Sequence, residues 1–124
     1  MAFRKLVWIT CAVLWSVVAT AEAPDTAAEI EHLISAVGES RCTFVRNGKE
    51  HDAEAAEAHL RLKYRRDRKY ATTAENFIDR LASKSSMSRK AYQMVCPASP
   101  PVASGDWLRA RLTEYRESRT TAAP

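Results

Sequence analysis

The chain predicts an α+β domain, mostly helical, with about four helices packed on a small two- or three-stranded antiparallel sheet. Three observations carry that prediction. Apolar residues recur at helical spacing behind capping residues in four segments. Asn47-Gly48 separates two short β-prone runs. Cys42 and Cys96 lie far apart, at the start of one β-prone run and the end of another.

The N-terminus, MAFRKLVWITCAVLWSVVATAEAPD, comes first. Arg4 and Lys5 precede an apolar run from Leu6 to about Ala19, and Ala19-Thr20-Ala21 is a small-x-small site. This is the layout of a secretory signal peptide, expected over residues 1–21. The run is shorter than the roughly 18 residues a membrane span needs. A single globular domain is expected over residues 22–117 and a disordered tail over 118–124.

Removing Arg4 and Lys5 from the 19 cations leaves 17 against 15 anions, a net charge of +2. A domain so close to neutral lacks the global charge of a nucleic-acid binder. Export also carries Cys42 and Cys96 into an oxidising space, where a lone pair is expected to form a disulfide.

In TAAEIEHLISAV, Ile30, Leu33, Ile34 and Val37 form one helical stripe. Thr26 and Glu29 have capping-box spacing, and Gly38 reads as the stop. CTFVR is β-prone, and Asn47-Gly48 is a strong hairpin signal because both residues tolerate positive φ. Lys49 to His51 is the return strand. Asp52 can cap a second helix whose inner face reads Ala56, His59, Leu60 and Tyr64. Thr72 and Glu75 have capping-box spacing before Ala74, Phe77, Ile78, Leu81 and Ala82. SKSSMSRK reads as a polar loop and YQMVC as a strand. PASPPVASGD, with three prolines, reads as irregular. A last helix is expected from about Asp106 to Glu117, with Trp107 or Leu108, Leu112 and Tyr115 inward.

The chemistry-bearing residues point to binding rather than catalysis. His32, His51 and His59 lack ligand spacing such as HxxxH. Glu75/Asp79 and Glu54/Glu57 fall at helix starts, where capping and the helix dipole account for them. KSSMSRK holds neither an SxxK nor a GxSxG arrangement. No catalytic residue, metal ion or cofactor is expected. KYRRDRKY, Lys63 to Tyr70, reads as a solvated basic elbow at the end of the second helix, at best one edge of an anion-facing surface. The binding candidates are Arg46, Asn47 and Lys49 at the hairpin, and Lys84, Ser86, Ser88, Arg89 and Lys90 at the serine-rich loop.

Four segments in order, FVRNGKEH, EAAEAHLRLKY, TTAENFIDRLASKSS and AYQMV, resemble the YfeK-like family of small exported bacterial proteins, a domain-of-unknown-function family. The resemblance covers about residues 28 to 116. It implies a periplasmic setting and supplies no established activity. It also implies a glycine in the turn before the tyrosine strand, where this chain has Arg89. The expected role is a non-enzymatic periplasmic protein that binds an anionic envelope component or an envelope protein. The expected alternative is an inhibitor of a cell-wall hydrolase of the lysozyme type.

Overall fold

A computed structural model describes residues 25–122; the expected leader over residues 1–21 lies outside the described residues. The element order is α1 (Thr26–Glu39), β1 (Thr43–Arg46), β2 (Lys49–His51), α2 (Ala53–Arg66), α3 (Ala74–Phe77), β3 (Gln93–Val95), β4 (Val102–Ala103) and α4 (Ser104–Ala122). A single 3₁₀ turn, Arg68–Tyr70, follows α2, and a wider π-type turn, Ile78–Ala82, extends α3.

Helix α1 begins where the Asp25 carboxylate accepts the Ala28 amide, so the cap sits one residue before Thr26. Ile30, Leu33, Ile34 and Val37 are fully buried, as their spacing requires. Each such side chain contributes roughly 1.5–3 kcal/mol relative to exposure. Gly38 does not stop the helix, which runs on to Glu39. Its role is close approach, since a Cβ there would lie 1.9 Å from the Glu57 carboxylate of α2. Asp52 caps α2 through the Ala55 amide. Thr73, not Thr72, caps α3 through the Asn76 amide.

The sheet has four antiparallel strands in the order β2-β1-β3-β4, one or two more than expected. Strand β4 is only two residues long and follows Pro100 and Pro101, so its composition gave no strand signal. Asn47 and Gly48 take φ of 51° and 74°, the positive values their turn requires. Phe44 pairs across the sheet with both His51 and Met94, and its ring lies 5.0 Å from that of Tyr92. Beyond the Thr43–Val95 pair the strands are locked by the Cys42–Cys96 disulfide, 54 residues apart in sequence. Closing that loop removes about 4 kcal/mol of unfolded-state freedom in the chain-entropy account.

Leu108 and Leu112 of α4 enter the same core as Phe77, Ile78 and Leu81. The helix continues to Ala122, beyond the expected end at Glu117 and through most of the segment expected to be disordered. Arg116 fixes it from outside. Its guanidinium meets the buried Glu29 carboxylate of α1 at 2.6 and 3.0 Å and Glu75 of α3 at 2.5 Å. Glu75 thus serves a tertiary ion pair rather than a capping box, and Arg116 holds its carboxyl below the usual range.

Candidate functional site: a basic cleft between hairpin and loop

The β1–β2 hairpin and the 84–91 loop are distant in sequence but share one rim. The Ser88 hydroxyl donates to the Asn47 side-chain oxygen, and the Asn47 amide reaches the Ser85 hydroxyl at 3.5 Å. Lys84 and Ala91 form an antiparallel bridge that closes the loop. Inside it, the buried Ser85 hydroxyl accepts the amides of Met87 and Ser88, each at 3.3 Å. Arg89 carries the turn at φ 60°, the conformation a glycine adopts freely, and its amide donates to the Ser85 carbonyl at 3.0 Å. The loop keeps the glycine geometry despite the side chain.

Beneath this rim lies a cleft of about 410 Å³. Arg46 and Lys49 enter from the hairpin, Lys63 and Arg66 from α2, and among the described residues no carboxylate lines it. Lys63 is the unexpected member. At 3% exposure it is buried, although its place in KYRRDRKY predicted a solvated side chain. It lies on the helical stripe of Ala56, Leu60 and Tyr64, and its ammonium donates to the Tyr92 hydroxyl at 3.2 Å and the Lys84 carbonyl at 3.5 Å. Asp67, four residues on from Lys63, meets its neighbour Arg66 at 3.2 Å rather than the Lys63 ammonium. Burial, then the charges of Arg66 and Arg46, push the Lys63 pKa down, and Asp67 offsets only part of this. Burial raises that of Tyr92, which keeps its hydroxyl protonated.

His59 was expected in the core. It instead stands half-buried at the cleft wall, where an Arg46 guanidinium nitrogen lies 2.6 Å from its Nδ1 and 3.0 Å from its Nε2. Burial, followed by Arg46, Lys63, His51 and Arg66, lowers its pKa to about 4. The neutral ring is therefore an acceptor that holds the Arg46 guanidinium in place. His51 also lines the cleft, with its Nε2 enclosed and unpartnered.

A second cleft of about 570 Å³ adjoins the first and shares Arg66, Ser85 and Ser86 with it. Lys84 and Arg89 line this second cleft, together with Arg80 and Tyr70. Of the residues predicted from sequence, Arg46, Asn47, Lys49 and Ser86 thus meet at the first cleft, Ser86, Lys84 and Arg89 at the second, and Ser88 on the rim. Lys90 lines neither; it is exposed and contributes only its carbonyl, which accepts the Ser85 amide at 3.0 Å. Sequence reasoning did not select Lys63, Arg66, Ser85 or Tyr92 as site residues. The helical register of Lys63 with Leu60 and Ala56 was the available signal.

Among the described residues no group of three or more His, Cys, Asp or Glu side chains is placed to hold a metal ion. No helix among them is long and apolar enough to cross a membrane.

The comparisons with known proteins agree with this picture at the level of family. A relative, the uncharacterized protein YfeK of Salmonella typhimurium strain LT2, is 46% identical over 66 residues, which is 52% of this chain and 55% of that protein. The chain thus aligns with about half the length of the curated relative it matches. No solved structure matches. A family model described as a family of unknown function, DUF5329, matches residues 24–116, well over half of the chain. With the YfeK-like segments, the hairpin and the serine-rich loop all inside that span, the chain belongs to the DUF5329 family.

Proposed function

We infer that this protein is a non-enzymatic binding protein of the bacterial envelope and that the cleft beneath the Asn47–Ser88 rim receives an anionic group of an envelope component. One observation carries the reading. Lys63 is buried at the cleft wall beside Arg46 and Arg66, and among the described residues no carboxylate pairs with it. A buried ammonium without a counter-ion is costly. An anion entering the cleft supplies the missing charge, and Arg46 is already oriented for it by His59. The donors available are ammonium, guanidinium and hydroxyl groups, a set that suits phosphate, sulfate or carboxylate.

Titration with inorganic pyrophosphate, followed by backbone amide chemical shifts, tests the site. The reading predicts saturable changes at Arg46, Asn47 and Ser85 to Met87. Changes confined to other faces would sink it.

The envelope setting is supported by the leader-like N-terminus and by the Cys42–Cys96 disulfide, a bond that persists in oxidising compartments. Fractionation of cells expressing the full chain checks this. The protein should appear in the periplasmic fraction without residues 1–21; retention in the cytosol with them would contradict it. The hydrolase-inhibitor reading has less support, because the tyrosine after the loop, Tyr92, faces the interior at 2% exposure and cannot be presented to a partner.

A further inference from the structure

The two clefts are continuous through Arg66, Ser85 and Ser86, and together they carry seven cations. The four of the first cleft, with Arg66 shared, are joined by Arg80, Lys84 and Arg89 in the second. Among the described residues only Asp67 and Asp79 oppose them; Asp67 is paired with Arg66, one of the seven, and Asp79 with Arg109. The whole chain has a net charge of only +4, so this density is a local property of one face. A single small anion would engage one end of such a track and leave the other unmatched.

Resting on the anion-binding reading above, we propose that the ligand is an extended acidic glycan chain that runs from the Arg46–Lys63 cleft across Arg66 and Ser86 into the Arg80–Arg89 cleft. The observations select this class over other polyanions. A peptide docked by strand addition needs a free sheet edge, and the edge strand β2 is three residues long and charged; a peptide held only through its acidic side chains is distinguished by the poly-L-glutamate arm of the test below. A bilayer surface needs a continuous apolar face, and Met87 is the one large apolar side chain that stands free beside the first cleft. Single-stranded nucleic acid uses repeated aromatic platforms, and one half-exposed ring, Tyr70, lines the track. A sugar chain needs what is present: spaced cations for its acid groups, side-chain hydroxyls and an amide for its own hydroxyls, and a ring edge against which one sugar can pack.

The experiment is a titration of the purified protein with oligogalacturonates of increasing length, with neutral dextran, poly-L-glutamate and an oligonucleotide as comparisons. The proposal predicts that affinity rises at least tenfold from trimer to decamer. The Arg80→Gln/Arg89→Asn variant should lose most of that rise; asparagine tolerates the positive φ at position 89, so the loop is preserved. Dextran should not bind, and poly-L-glutamate and the oligonucleotide should bind at least tenfold more weakly than the decamer. Binding of the trimer with no gain on lengthening overturns the extended chain while leaving the anion-binding cleft intact. Equal binding of poly-L-glutamate or the oligonucleotide overturns the glycan assignment. Absence of binding by every acidic probe overturns this proposal and the cleft reading together.

Discussion

The Lys63 ammonium donates to the Tyr92 hydroxyl at 3.2 Å, in a setting where both side chains are almost fully buried. The pair joins α2 to the start of β3 and sets a positive charge at the wall of the cleft. Neutral hydroxyl and carbonyl partners satisfy the hydrogen bonds of Lys63 without neutralising its charge. The stability of the fold and the use of the cleft therefore pull in opposite directions at this residue.

Lys63→Met keeps the length of the side chain and removes the charge. Unfolding in urea should show stability unchanged or raised, by up to about 1 kcal/mol, because an uncompensated buried cation is removed. A loss of more than about 2 kcal/mol would mean that the ammonium is a structural necessity.

Arg116 behaves in the opposite way. Glu29 is buried with its carboxylate held by Arg116, whose guanidinium is itself half-exposed. Arg116→Ala leaves that carboxylate without its partner and unties α4 from α1 and α3. The expected cost is about 2–3 kcal/mol, less than for a fully buried pair. Thermal unfolding checks it, and the Glu29→Gln/Arg116→Ala variant should recover part of the loss.

His59 makes stability depend on pH. Its pKa in the fold, about 4, lies below the ordinary value of 6.5. Between these values the unfolded chain binds the proton more readily, so the contribution of the neutral ring is complete above about pH 6.5 and is lost as pH falls towards 4. After allowance for solvent near the half-buried ring, the loss is on the order of 1–2 kcal/mol. A His59→Gln variant should show a flatter stability profile across that window. An identical slope in both proteins would remove His59 as the cause.

Arg89→Gly tests the turn. Arg89 holds φ 60°, a conformation that costs a side-chain-bearing residue roughly 1–2 kcal/mol. Glycine gains this back but loses backbone entropy on folding. The net expectation is stabilisation by about 0.5–1 kcal/mol, read from the denaturation midpoint.

The parts of this fold that were legible in the sequence are those written in local chemistry. Asp52 caps α2, Asn47-Gly48 turns the hairpin, and Ile30 to Val37 bury one helical stripe, each for reasons contained within a few residues. The disulfide was legible because only two cysteines followed the expected leader. What escaped was decided by distant partners. Glu75 has capping-box spacing, yet Arg116, 41 residues away, claims it. Gly38 resembles a helix stop, yet it is small because Glu57 crosses it. Strand β4 exists because β3 offers it a ladder, not because Val102-Ala103 asks for one. The site was half legible. Its exposed cations and rim residues are visible as composition, while Lys63 is a charge at a buried helical position, which composition does not reveal.

The central claim is that an anion completes the charge of the cleft. Calorimetric titration of inorganic pyrophosphate into the wild-type chain and the Lys63→Met and Arg46→Gln variants, at low and at physiological salt, tests it most directly. The account predicts saturable binding by the wild type that weakens with salt and falls at least tenfold in each variant. No saturable binding by the wild type, or equal binding by all three proteins, would contradict it.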